Sequence, residues 1–586
     1  MCGINGVMTA SGDSPDPNLI TSMQNALIHR GPDGAGLYFK NNIGMAHRRL
    51  AIIDLDTGDQ PLSTPNGTTL VANAEIYNYV ELKSQMPEVD FKTTSDCEVP
   101  LHLYSKFGEG FARHLRGMYA IAIYDPENRS LVLTRDPFGI KQLYYTVGPF
   151  GFAFASEPQA FLASGLISAD IRKSAAEELL QLQFSVGRET VLSNIFRVLP
   201  GETIIVESGK ISKTFRQDAL PSGGPQEVEE EIALERVGSA LFDSINVHQR
   251  SDVPYGMFLS GGIDSSAILA AMSKLNDQPV HAFTVGFSDT EETDERKHAA
   301  LVAKSLGAEH TEVDFTEDDF WKTIPLVARA MDDPVADYAE LPTYKLGEVA
   351  GQQFKVILCG EGGDELFGGY SRYRSAIRPW WRYPRAVRSR GALEGMNLLR
   401  TNSRDWRNGI AAYETDIYSE SRSSLQNVQA NDFADWLPHD LLIKLDRCLM
   451  AHGIEGRTPF LDPVIAKEAF RLPDSLKIKG RTGKWILRKW LSEHAPVAKP
   501  FSKKRGFTVP VGEWIFRKGN ILGPLVAKQS GIVELCDPDT VEAIFKSKSR
   551  RAGLAAWILL FYSVWHRLHI EGLSNDGDVF SILSDG

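Results

Sequence analysis

The stretch 253–266, VPYGMFLSGGIDSS, restricts this chain more than any other. Apolar Val253, Tyr255, Met257, Phe258 and Leu259 lead into a Ser-Gly-Gly turn, and a helical run, residues 265–271, follows at once. Strand, tight turn and helix in direct succession predict the opening of a parallel α/β sheet. Gly261 and Gly262 permit positive φ and close approach of a ligand. Ser260, Ser265, Ser266 and the amides opening the helix are expected to converge on one spot. That spot suits a pyrophosphate. No GxxxxGK[ST] run occurs here or elsewhere in the chain, which disfavours a kinase-like γ-phosphate site. The competing reading is a corner whose glycines only make the turn, but Asp264 and the paired serines speak for a nucleotide.

The pattern continues downstream with strands at 281–287, 310–313 and 355–359 and helices at 294–306, 320–330 and 342–350, an order that predicts a parallel sheet covered on both faces, with ligands at the carboxyl ends of its strands. From about Arg374 onward the chain reads as mostly helical. Before residue 199 the sequence is different: short apolar or alternating segments at 36–39, 70–72, 119–124, 131–134 and 152–155 are separated by Gly, Pro, Asn and Asp, with helical patterns at 18–28 and 98–107. An α+β sandwich is expected there. At 586 residues the chain exceeds one ordinary core. We expect a first domain at 1–205, a linker at 206–231 whose stretch QDALPSGGPQEVEEE has little to bury, a second domain at 232–573, and a loose tail at 574–586.

Acids outnumber bases 75 to 63, and the formal charge of −12 argues against nucleic acid or an anionic membrane as bulk partner. One segment, 377–408, mixes Arg378, Arg382, Arg385, Arg388, Arg390, Arg400, Arg404 and Arg407 with Trp380, Trp381 and Trp406, a composition that could touch RNA. In so acidic a chain the preferred reading is a surface pair of helices whose arginines meet carboxylates. The longest apolar stretch, 555–565, falls far short of the roughly 20 residues that cross a bilayer, and a cytoplasmic protein is expected. Cys2, Cys97, Cys359, Cys448 and Cys536 are scattered without CxxC pairing, which fits a reducing compartment better than a disulfide or zinc framework.

Cys2 stands apart from the rest. Removal of Met1 would leave a thiol and an α-amine on one residue, a nucleophile with its own base, since an α-amine with a pKa of about 7.7–8 can take the thiol proton and return it to a leaving group. Around it stand His29-Arg30-Gly31-Pro32-Asp33, AHRRLAIID at 46–54, NAEIYN at 73–78 and SDCE at 95–98. At these residues the sequence resembles the class II glutamine amidotransferases, while SGGIDSS resembles the PP-loop of ATP pyrophosphatases. With GEGGDELFGGY at 360–370 added, nearly the whole chain is similar to the glutamine-hydrolysing asparagine synthetases.

The resemblance implies a role for each matched position. Cys2 would attack the glutamine carboxamide, Asn73 and the amide of Ala74 would form the oxyanion hole, and Arg49, Leu50, Ile52, Ile53, Glu75 and Asp96 would hold the amino-acid end of glutamine. Taken alone, Arg49 could be a surface cation and Asp96 a helix N-cap. Ser260, Gly261, Gly262, Asp264, Ser265 and Ser266 would cradle pyrophosphate. Leu259, Val285, Cys359 and Gly360 would surround the nucleoside, and Asp264 with Asp364 would hold Mg²⁺. Glu361 would accept a proton from attacking ammonia, and Lys484 and Lys504 would stabilise charge on adenylate and pyrophosphate. Glutamine, aspartate and ATP would be the substrates, in a chain that could form a homodimer. Two departures matter. Ala74 stands where the family has glycine, at a cost of about 1 kcal/mol if that turn needs positive φ, and the acceptor pocket cannot be read from residue types. An acid other than aspartate, or a catalytically dead nucleotide-binding scaffold, are the rival readings; joint retention of Cys2, Asp264, Glu361, Asp364 and Lys504 opposes the scaffold.

Overall fold

The computed structural model describes residues 2–288, 290, 294–378, 388–401, 405–502, 509–573 and 577–584. Lys504, Trp380, Trp381, Arg382, Arg385 and Arg404 lie outside the described residues, as does part of the expected tail; its described part is not loose, since Val579–Ser584 form a helix that buries Val579, Ile582 and Leu583 in the carboxy-terminal core.

Twelve strands make the amino-terminal half: β1 (Gly3–Thr9), β2 (Gly34–Lys40), β3 (Ile43–Arg49), β4 (Leu62–Ser63), β5 (Thr69–Ile76), β6 (Gly117–Asp125), β7 (Ser130–Arg135), β8 (Tyr144–Gly148), β9 (Gly151–Ala155), β10 (Phe196–Arg197), β11 (Glu202–Glu207) and β12 (Lys210–Arg216). They form two antiparallel six-stranded sheets, ordered β10-β8-β9-β1-β3-β2 and β12-β11-β7-β6-β5-β4. Alternation along the strands aims Ile4, Met8, Met45, Val71, Ala122 and Phe154 into the space between the sheets. Helices cover the outer faces, Pro17–Ala26 and Lys173–Leu182 on one side and Val99–Phe107 on the other. This is the expected α+β sandwich.

The expected linker needs correction. β12 pairs with β11 through residues that include Ile204 and Thr214, so the hairpin belongs to the second sheet. The next helix, Glu230–His248, begins inside the predicted segment. Within it only the turn 208–209 and residues 217–229 lack helix and strand. The alternation of β12 was hidden because its residues are nearly all exposed and polar.

Beyond it β13 (Tyr255–Phe258), β14 (His281–Phe287), β15 (Glu309–Phe315), β16 (Val356–Leu358) and β17 (Glu455–Arg457) form a parallel sheet in the order β15-β14-β13-β16-β17. Four helices position the sites: α1 (Ile263–Leu275), α2 (Glu340–Ala350), α3 (Leu442–Met450) and α4 (Trp485–His494). The apolar run 555–565 lies inside the helix Arg550–His569 and is buried in the carboxy-terminal core. Among the described residues no helix is long and apolar enough to cross a membrane. Apolar packing runs on from one half to the other, with Leu50, Ile52, Ile53 and Met118 in the same cluster as Val237 and Leu241. The arginine-rich segment corrects the expected surface pair of helices: among the described residues 388–401 carry no helix, Arg388 lies over the rings of Phe184 and Trp436, and Arg400 donates to the Val533 carbonyl at 2.8 Å, while Arg407 does meet an acid, Glu414, at 2.8 Å, beside the buried Trp406.

Candidate functional site

Two sites emerge. The first lies where β1, β3 and β5 bring their ends together. Cys2 is buried, its N–H donates to Asn73 Oδ1 at 3.0 Å, and its Sγ is 4.0 Å from the Leu50 carbonyl oxygen. Burial pushes the thiol up, and Glu455 and Glu75 push it further. Asn73 Nδ2 is buried with no hydrogen-bond partner, a donor aimed at something other than protein. Ala74 sits in β5 opposite Tyr119, and it is absent from the residues with positive φ. The strain that a glycine replacement threatened does not arise. We expect Ala74→Gly to change glutaminase turnover less than about twofold and to cost about 0.5–1 kcal/mol of stability, as glycine does within a strand; a glutaminase assay beside a denaturation curve checks both.

Arg49 is no loose surface cation. Its guanidinium donates to the carbonyls of Ile53 (3.4 Å) and Asp54 and pairs with the exposed Asp59 at 2.8 Å. Asp96 is not an N-cap either. Ser95 Oγ accepts from Cys97 N–H, and Asp96 Oδ2 instead accepts from Ile76 N–H at 2.7 Å, which fixes it beside Glu75. Burial, with Glu455 adding to it, raises the Glu75 carboxyl well above the usual range, and burial raises Asp96 too. Leu50, Ile52 and Ile53 are buried next to these groups.

Residues from the second half close this site. Arg457, on β17, lies 2.9 Å from Glu75 and 2.7 Å from Glu455. Arg30 donates from Nε to the Cys2 carbonyl at 3.1 Å, and its two terminal nitrogens reach Asp446 of α3 at 2.7 and 3.0 Å. Sequence reasoning missed Asp446, Glu455 and Arg457. Their signal was a charge placed where α3 and β17 are otherwise buried.

The second site is a cavity of about 400 Å³ at the carboxyl ends of β13, β14 and β16. Leu259, Ser260, Asp264, Ser265, Val285, Cys359, Gly360, Glu361 and Asp364 all line it. Gly261 holds φ +68°, whereas Gly262 has φ −73° and serves as the N-cap position of α1; of the two glycines only Gly261 uses the left-handed region. Ser260 and Ser265 knit the turn with hydroxyls 3.1 Å apart. Ser266 corrects the expected convergence: it is fully buried, does not line the cavity, and its N–H is spent on the Gly262 carbonyl. Cys359 is a buried thiol raised well above its usual range by burial, with its N–H bonded to Arg457 O at 2.8 Å, so its part is structural.

Lys484, held at φ +57°, bridges Asp264 and Asp364, the latter at 2.8 Å. A left-handed lysine holding a carboxylate pair is a constrained position that the surrounding structure must fix. Glu361 Oε2 is buried without a hydrogen-bond partner, and burial raises its carboxyl while Lys444 opposes the rise. Lys444 of α3 also lines the cavity and pairs with Asp337 at 2.6 Å. That lysine too escaped the sequence reading.

With this geometry in hand, comparison with known proteins is informative. Residues 1–216 match the family model for a glutamine amidotransferase domain, and residues 236–567 match the model for asparagine synthase. Among similar proteins, asparagine synthetase [glutamine-hydrolyzing] 1 of Bacillus subtilis is 32% identical over 97% of each chain. Asparagine synthetase B [glutamine-hydrolyzing] of Escherichia coli is 30% identical over 88% of this chain and 83% of its own. Amidase chry2 of Gibberella zeae is 28% identical over 82% and 84%. Two family models in this order, and relatives aligned end to end, establish that the chain belongs to the asparagine synthase family, in the form that carries an amino-terminal glutamine amidotransferase domain.

Proposed function

We propose that the chain is a glutamine-hydrolysing asparagine synthetase: glutamine is cut at Cys2, and the ammonia amidates an aspartate activated by ATP in the second cavity. The observation that carries this reading is the pairing of a buried thiol beside an unpartnered amide donor, Asn73 Nδ2, with a cavity that gathers Ser260, Asp264, Glu361 and Asp364.

With Met1 removed, the Cys2 α-amine takes the thiol proton. The thiolate attacks the carboxamide carbon, the oxyanion is held by Asn73 Nδ2 and the Ala74 amide, and ammonia leaves as the thioester forms. The α-carboxylate of glutamine replaces Asp59 on Arg49, while its ammonium meets Glu75 and Asp96. Those two carboxyls must be ionised to hold it. Because burial raises both, the ionised forms are lost at higher pH than for ordinary carboxylates. As pH falls, kcat/KM for glutamine should therefore drop with a midpoint above the usual 4.5 of a glutamate, while ammonia-dependent turnover, corrected for the fraction of free NH3, shows no such step; parallel pH profiles check this.

In the second cavity the aspartate β-carboxylate attacks the α-phosphorus and pyrophosphate leaves into the turn 260–265. Ammonia then attacks the acyl carbon, AMP leaves, and Glu361 takes the surplus proton. Asp264 and Asp364 would hold Mg²⁺, a hard cation suited to carboxylate oxygens; the Lys484 ammonium seated between the two carboxylates supports a donor pair suited to positive charge. The metal would neutralise triphosphate charge. Lys484 adds a fixed positive charge and Lys504 is assigned the same task. Ammonia crosses between the sites along the apolar contact of the two halves, the domains being 1–216 and 230–573, and the chain assembles as a homodimer.

Purified protein given ATP, Mg²⁺ and glutamine should release AMP and pyrophosphate when aspartate is added. ADP would refute the assignment of the 260–265 turn, and silence with aspartate would move the reading to another acid.

A further inference from the structure

We propose that Lys444 and Asp337 grip the acceptor by its α-amino-acid end, Lys444 taking the α-carboxylate and Asp337 the α-ammonium, which leaves the side-chain carboxylate free to reach the nucleotide. This rests on the reading of the second cavity as an adenylation site.

The cavity, at about 400 Å³, lies within the roughly 300–1,000 Å³ of a small-ligand site, and its lining reaches past the nucleoside residues to a polar corner. Beyond Leu259, Val285 and Gly360 the wall is made by Asp337, Thr343, Glu361, Leu441 and Lys444. Among the described residues that line the cavity, Lys444 is the one cation. An acceptor with two carboxylates needs such a charge for the carboxylate that does not react.

The surroundings are rich in carboxyl groups whose neutral form burial favours: Glu340 is raised well above its usual range and Asp440 to about 7. Glu340 is fully buried with neither carboxyl oxygen hydrogen-bonded, and Asp440 Oδ1 likewise lacks a partner; both interact electrostatically with Lys444. One ammonium faces four carboxyl groups: Asp337, Asp440, Glu340 and Glu361. A zwitterion entering the Lys444–Asp337 pair exchanges one ion pair for two and brings a second positive charge to this acidic corner, whereas a simple dicarboxylate would bring only more negative charge.

Both partners are held on rigid supports, as a specific clamp requires. Ala336, next to Asp337, exchanges hydrogen bonds with Gln183 of the first half, N–H to carbonyl at 2.7 Å and side-chain amide to Ala336 O at 2.6 Å. Trp557 Nε1 donates to the same Ala336 carbonyl at 2.8 Å. Lys444 leaves α3 just after a π-helical stretch, Asp432–Leu441, a wide winding that recurs at functional sites.

The test uses the full chain with ammonia as nitrogen donor, and reads pyrophosphate release with aspartate, succinate (no α-amine) and β-alanine (no α-carboxylate). Wild type should prefer aspartate to both. Lys444→Met should raise KM for aspartate by about 30–100-fold, the weight of a lost charged hydrogen bond, and shrink the preference over β-alanine; Lys444→Arg should recover part of it. Asp337→Asn should shrink the preference over succinate. KM for ATP and glutaminase turnover should stay within about threefold, a control that the variants are folded. Unchanged aspartate KM in both variants, or KM for ATP rising in parallel with it, overturns the clamp while leaving aspartate as acceptor. A wild type that ignores aspartate but turns over another acid refutes the acceptor reading itself.

Discussion

Cys2→Ala is expected to abolish glutamine-dependent amide synthesis, by at least about 10³-fold as for the loss of an attacking group that no neighbour replaces, and to leave ammonia-dependent synthesis at wild-type rate. The structure gives the reason for both halves of the outcome. Cys2 is the cysteine beside Asn73 Nδ2 and the Leu50 carbonyl; Cys97, the next thiol in this half, points its Sγ at the Ala74 carbonyl 3.8 Å away and is raised well above its usual range by burial. Nothing in the second cavity depends on the Cys2 sulfur. Assays with glutamine and with ammonium salt, each scored by AMP, separate the two reactions, and equal loss in both would contradict independent sites.

The second large effect concerns stability. Asp446 is buried and accepts from Arg30 at 2.7 and 3.0 Å and from Arg447 at 2.9 Å. Asp446→Ala leaves two guanidinium groups competing for Glu157 and Asp332, and breaking a buried pair from one side costs about 3–5 kcal/mol. Denaturant unfolding should show that loss. Glutaminase turnover should fall about tenfold with it, because Arg30 also holds the Cys2 carbonyl. Asp446→Asn, which keeps acceptor oxygen but not charge, should fall between. A variant as stable and as active as wild type would show that the pair across the two halves contributes nothing.

Much of the architecture was legible because each half carries its own local pattern. The SGGIDSS turn announced the parallel sheet, and the hairpin of β6 and β7 stood where alternation put it. β17 was not legible: Glu455-Gly456-Arg457 has none of the β-branched or aromatic residues that signal a strand, since its charges are neutralised by Glu75, Lys141 and each other. The same holds for the functional residues. Cys2, Asn73 and Glu361 were found from motifs, whereas Asp446 and Lys444 act through partners more than 100 positions away, Arg30 and Asp337. Local reading cannot assign a partner to a charge, and those pairs appear only when the halves are folded together. Ser266 shows the reverse error, a residue placed in the cradle by its neighbours in sequence and turned inward by the helical twist.

α3 presents Lys444 to the large cavity and, two residues later, Asp446 to the guanidinium beneath the amino-terminal thiol. At 3.6 residues per turn, side chains two apart leave the axis about 200° from each other, on opposite sides of one rod. Rolling such a rod by a few degrees to suit an occupant on one side displaces the group on the other by the same angle. One nine-residue rod thus carries both a wall residue of the cavity and a support of the amino-terminal thiol, so the two pockets share a single beam.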